Sequence, residues 1–85
     1  MIIGKVIGSI VSTRKNENLV GSKFMVVEPA HKTGNGNIVA IDNVGAGIGE
    51  YVLVATGSAA SIGCNMETAP VDAAIVGIVD DGANI

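Results

Sequence analysis

The residues of this sequence best suited to chemistry are a run of alternating glycines, one histidine, one cysteine and a few acids. Gly45, Gly47 and Gly49 stand in the hexapeptide GAGIGE, and glycine backbones can present N–H groups to an anion. Their spacing refuses a nucleotide. A dinucleotide fingerprint needs G-x-G-x-x-G opening a long helix, whereas these glycines alternate with other residues and lead into a strand; a phosphate loop needs Gly-Lys-Ser/Thr, and Gly49 is followed by Glu50. His31 lies in the polar stretch HKTGNGN without a second His, a Cys or a close carboxylate at ligand spacing, so it lacks the converging donors a metal requires. Cys64 and His31 fall on separate loops with nothing in the sequence to join them, and a thiol nucleophile needs an adjacent base and an orienting group. Cys64 reads as a small packing residue beside a helical turn. Asp42, Glu50, Asp72 and Asp80 all fall at strand ends. There they suit bonding to turn backbones, or pairing with Lys and Arg across a subunit boundary, better than acid–base work. No enzyme, cofactor or metal is expected from this set.

The elements that hold these residues read as strands. Residues 2–13, IIGKVIGSIVST, are rich in β-branched side chains and carry Gly4 and Gly8 at a spacing of four, on one face of a long, bent first strand. Residues 14–18, RKNEN, form a solvated polar loop. A second strand over 19–29 has Phe24 and Val26 on one side and Lys23, Met25 and Val27 on the other, and Pro29 ends it. The Gly-Asn-Gly run inside HKTGNGN suits a hairpin turn, and Ile38–Asp42 returns as a short third strand.

The fourth strand, Tyr51–Thr56, is the most informative. It places Tyr51, Leu53 and Ala55 on one face and Val52, Val54 and Thr56 on the other, so it is apolar on both faces and needs cover on both sides. One side can be the domain's core, and the other asks for a neighbour. The loop before it, Gly45 to Glu50, is stripped of side chains in the way a tight approach demands. After Gly57, Ser58 is placed to cap a single helical turn over 59–62, with Gly63 as its left-handed stop. A loop over 65–70 leads to a fifth strand over 71–79 and a short polar tail over 80–85. Five strands with glycine corners and one helical turn make an all-β fold, a small, partly open five-stranded barrel of the oligonucleotide/oligosaccharide-binding (OB) type.

Composition narrows the role of such a barrel. The chain has 85 residues, 48% apolar and only 15% charged, more apolar surface than one small domain can hide, which points to an oligomer. A net charge of −3 with one Phe and one Tyr leaves neither the basic groove nor the stacking platform that nucleic acid needs. No apolar run approaches the ~20 residues of a membrane helix, and residues 1–11 fit a strand better than a signal peptide. A single cysteine excludes an intrachain disulfide and fits the cytosol.

Three ordered blocks, KVIGSIVSTRKNENLVGSKFMVVEP, DNVGAGIGEYVLVATGSAAS and PVDAAIVGIVD, together resemble the bacterial microcompartment vertex proteins of the EutN/CcmL type and cover most of the chain. The resemblance implies a homopentamer of OB-like barrels capping the five-fold corners of a protein shell in the bacterial cytoplasm, with hexagonal shell tiles as partners. It implies that Gly57, Ser58, Ala59, Ala60 and Ser61 border the symmetry axis; the family's Gly-Ser-Ser-Ala-Arg turn stands here with Ser61 in place of arginine. Gly45, Ala46, Gly47, Ile48, Gly49 and Glu50 are expected in the contact between neighbouring subunits. An oligomeric module that binds a small metabolite or anion is the alternative expectation.

Overall fold

Five stretches of β-branched and small apolar residues form the strands, and the side chains that point inward make the core. The computed structural model describes residues 1–12, 15–31, 36–63 and 70–80. The strands are β1 (Ile2–Ile10), β2 (Lys23–Pro29), β3 (Ile38–Asp42), β4 (Tyr51–Thr56) and β5 (Ala73–Ile78), with one α-helix, α1 (Ser58–Gly63), between β4 and β5. They form a closed barrel in the order β1-β2-β3-β5-β4, with β1 pairing to β4. Closure exceeds the partly open barrel expected. It is made by a short parallel ladder in which Ile41 meets Ala74 and Asp42 meets Ile75; every other pairing is antiparallel.

The barrel is filled by Val6, Met25, Val27, Val52, Val54 and Ile75, the largest fully buried side chains. On β2 the inward residues are thus Met25 and Val27, and the Phe24–Val26 face turns out. On β4, Val52 and Val54 point in. The outward face of β4 receives cover at one end only: Ala55 is buried with Ala74 under Ala60 of α1, flanked by Val71 and Val76. Tyr51 and Leu53 on the same face stay half-exposed, and the Lys5 ammonium stands 5.9 Å from the Tyr51 ring centroid, a cation–π contact at the surface.

Gly4 and Gly8 do different jobs, on different faces. A side chain on Gly4 would run into Val27 and stand 2.9 Å from Glu28 O, so β1 and β2 cross there at a separation only glycine permits. A register shift then falls between Val6 and Gly8, a bulge that takes Ile7 out of step. Gly4 pairs with Pro29 on the inward parity of Met25 and Val27, whereas Gly8 pairs with Val26 on the outward one. The expectation that both share a face fails because a bulge resets the two-residue alternation.

Strand ends also shift. β1 stops at Ile10, and β2 starts at Lys23 because the preceding residues are taken by a 3-10 turn, Glu17–Leu19, where Asn16 accepts the Asn18 N–H through its side chain. Gly21, at φ 86°, then turns the chain into β2. β5 is shorter at both ends than the 71–79 expected. Arg14 of the polar loop, most of the hairpin turn over 32–35, the loop at 65–69, the tail beyond Asp80 and Cys64 lie outside the described residues.

Candidate assembly surface

The loop that follows β3 is built around one carboxylate. Asp42 Oδ1 accepts the backbone N–H groups of Val44, Gly45 and Ala46, each at 3.1 Å. Its other oxygen lies 3.6 Å from Lys23 Nζ, and the Asp42 side chain is only 2% exposed. Lys23 Nζ also donates to Ala46 O at 3.3 Å. Burial acts to raise the Asp42 pKa, but the Val44, Ala46 and Gly45 N–H groups and the Lys23 ammonium outweigh it, so the carboxyl sits below its ordinary 3.8. Asp42 therefore bonds a turn backbone, as strand-end acids do, and its lysine partner belongs to its own chain.

The glycines then divide their labour. Gly45 (φ 81°) and Gly49 (φ 94°) occupy the left-handed region, while Gly47 does not. Gly47 to Glu50 is a β-turn in which the Glu50 N–H donates to Gly47 O at 3.2 Å, with Gly49 at the position where a type II turn requires positive φ. The Gly47 N–H donates to Glu50 Oε1 at 2.6 Å, so the glutamate is spent on holding its own turn. The turn is pinned to β1, for Gly49 N donates to Val6 O at 2.7 Å and Val6 N to Glu50 O at 2.9 Å. Two side chains of the loop go opposite ways: Ala46 is buried in the barrel core, and Ile48, at the turn's tip, is 67% exposed. The loop thus holds its largest apolar side chain in solvent, while the Ala46 side chain is taken up by the core.

The small-residue turn after β4 starts at Gly57, whose φ of 68° lets the chain reverse and whose N–H donates to Asp72 O at 2.8 Å. Ala60 N then donates to Gly57 O at 3.1 Å, which makes Gly57, not Ser58, the residue at the head of the helix. Ser58 is the first helical residue, and its carbonyl accepts from the Ser61 hydroxyl at 3.0 Å. Gly63 closes α1 without left-handed backbone; its small size serves instead a close approach to Val76, whose Cγ1 would stand 3.3 Å from an added Cβ. Its carbonyl accepts from Asn43 Nδ2 at 3.4 Å, which ties the end of the helix to the start of the 43–50 loop. Of the five residues from Gly57 to Ser61, only Ala60 is buried, and Gly57, Ser58 and Ala59 are exposed.

Among the described residues no group of three or more His, Cys, Asp or Glu could hold a metal, and no helix is long and apolar enough to cross a membrane. His31 is exposed beside Met1, Ile2 and Ile3 along a shallow depression of about 240 Å³. The anchors Lys23 and Asn43 escaped the sequence reading, although an Asp-Asn pair before a glycine is a recognisable start for a side-chain-bonded turn.

Residues 1–80 match the family described as ethanolamine utilisation protein EutN/carboxysome. The chain belongs to the EutN/CcmL family. This EutN/CcmL chain is 48% identical over 84 aligned residues to the bacterial microcompartment shell vertex protein GrpN of Rhodospirillum rubrum, covering 94% of this chain and 93% of that one. Its fold superposes on the solved GrpN pentameric microcompartment shell protein from the same species with a TM-score of 0.81 at 46% identity, over 94% of both chains. It superposes on Gloeobacter violaceus CcmL with a TM-score of 0.85 at 42% identity, over 94% of this EutN/CcmL chain and 86% of that one.

Proposed function

We propose that this chain is a structural component of a bacterial microcompartment shell, assembling as a homopentamer that closes the five-fold vertices of a polyhedral shell in the cytoplasm. The observation that carries the reading is near-full-length similarity, in sequence and in fold, to a shell vertex protein whose solved form is pentameric. A flat sheet of hexagonal tiles closes into a polyhedron only with five-fold corners, so the role is geometric and asks for no catalytic residue or cofactor. Hexagonal shell tiles are then its partners, beside its own copies.

A cyclic ring joins one surface of each subunit to a different surface of the next. In this reading Gly57, Ser58, Ala59, Ala60 and Ser61 border the symmetry axis. They suit a crowded axis because Ser58 and Ala59 turn small side chains outward while Ala60 anchors the turn to the barrel. Gly45 to Glu50 lies in the subunit contact, supported by the exposure of Ile48 and the rigidity of its turn. In this reading Ser61 brings no charge to the axis.

The test is shell closure. Hexagonal tiles from the same microcompartment, produced with and without this chain, are compared by electron microscopy. Closed polyhedra only in its presence are expected; equally closed shells without it would overturn the vertex role.

A further inference from the structure

The short β3–β5 ladder leaves a seam. Pairing begins at Ile41 and Ala74, so the first residues of β3 and the chain entering β5 diverge below that point. Between them runs a groove of about 460 Å³ lined by Ile38, Val39, Thr56, Gly57, Asp72 and Ala73. Its floor is apolar, Val39 is 49% exposed along it, and Gly57 at its rim begins the turn assigned above to the ring axis.

The chain's best plug for that groove is its own Ile48, which it cannot use on itself. Ile38 and Val39 open β3, while the loop carrying Ile48 hangs from Asp42 at the other end of the same strand. Four residue steps of strand separate the two ends by about 13 Å, and the Gly49–Val6 bond pins the turn against β1, which pairs with neither β3 nor β5 and meets β4 only over Tyr51 to Val54, short of Thr56 at the groove. Ile48 differs from the other strongly exposed apolar residues in its setting. Met1 is the first residue, Val11 and Val20 lie in the connection between β1 and β2, and Ile62 is in the last turn of the short α1, whereas Ile48 is fixed from both sides by backbone and carboxylate bonds. A rigid apolar tip costs little conformational entropy to bury.

We infer that Ile48 of one chain seats in the β3–β5 groove of the next copy, the tip and the groove being the two unlike surfaces from which the ring is closed. The inference rests on the pentameric reading, since a tip and a groove at opposite ends of one strand satisfy each other only head to tail, and closure of such contacts requires a ring. It also explains why the loop is built so stiffly: three N–H bonds to Asp42 and one to Glu50 fix the direction in which Ile48 points.

The test places thiols on both surfaces. In a background with Cys64→Ser, the double variant Ile48→Cys/Thr56→Cys is treated with a short bis-maleimide at a concentration where the parent is assembled. The result expected is a covalent ladder ending at a closed five-chain species under denaturing conditions, with each single variant remaining one chain. No ladder from a double variant that native mass spectrometry still finds pentameric would overturn this contact and leave the ring standing. Dimers from Ile48→Cys alone would overturn it too, by showing tip meeting tip. A parent protein that is not pentameric would overturn the ring reading itself. As a second measurement, Ile48→Lys, which alters a side chain already in solvent within the single chain, is expected to raise the half-assembly concentration at least tenfold with an unchanged far-ultraviolet spectrum. Assembly at the parent's concentration would count against the groove.

Discussion

Lys23 Nζ stands 3.6 Å from Asp42 Oδ2 and 3.3 Å from Ala46 O, so one ammonium on β2 spans both the carboxylate that organises the 43–50 loop and a carbonyl of the loop itself. The pair's ionic attraction is modest because more than half of the Lys23 side chain meets solvent. The larger effect comes from the Asp42 oxygen and its three backbone donors, of which the part-buried Ala46 N–H would be left unpaired without it while the exposed Val44 and Gly45 N–H groups can turn to water.

Asp42→Ala is accordingly expected to cost about 1–2 kcal/mol at neutral pH, and Lys23→Met less than about 1 kcal/mol. The acid dependence follows from the depressed Asp42 pKa. A carboxyl whose folded pKa lies below its unfolded one stabilises the fold above the unfolded value and loses that contribution as pH falls through the folded value. The parent should therefore lose stability as pH drops below about 3.8, and Asp42→Asn should lose less over the same range. Urea unfolding at several pH values and one protein concentration checks this; parallel slopes for parent and Asp42→Asn would contradict it.

Gly4 and Gly8 offer an internal control. Gly4→Ala forces a methyl against Val27 and the Glu28 carbonyl and should destabilise the barrel by about 1–3 kcal/mol. Gly8→Ala meets nothing within 4 Å in its own chain and should leave the barrel's stability within about 0.5 kcal/mol. Equal losses in thermal unfolding would mean that the crossing of β1 and β2 is looser than the geometry requires.

Neighbouring alanines on α1 should separate folding from assembly. Ala60 is fully buried against Ala55 and Ala74, so Ala60→Leu overpacks the contact and should cost about 1–3 kcal/mol. Ala59 is exposed, and Ala59→Trp should keep the barrel folded while disturbing the ring, seen as a changed sedimentation coefficient beside an unchanged circular dichroism spectrum. An undisturbed pentamer would move Ala59 away from the axis.

Most of the barrel was legible in the residues because strand signals are local. β-branched runs ending at Pro29 and Gly57, and the two-sided apolar pattern of Tyr51–Thr56, are visible without any knowledge of partners. The bulge at Ile7 was not, since it is defined by the register of β1 against β2, which depends on residues some twenty positions away. The start of β2 was misplaced because Leu19 is apolar enough for a strand, yet the Asn16 side chain draws it into a 3-10 turn. In the candidate surface the special backbone of Gly45 and Gly49 was readable from residue type, but the opposite directions of Ala46 and Ile48 were not. Direction there is set by the Asp42 fan, a property of folded geometry. Gly63 misled for a related reason: a glycine at a helix end suggests left-handed backbone, whereas here the proximity of Val76 accounts for it.

The central claim is that five copies of this barrel make one ring, and native mass spectrometry of the purified protein across a range of concentrations tests it most directly. The account predicts a dominant species of five times the 8.5 kDa chain, persisting on dilution. A monomer or dimer as the dominant species at every concentration would contradict it, and would mean that Ile48 and the outer face of β4 are not covered by closure of a five-membered ring.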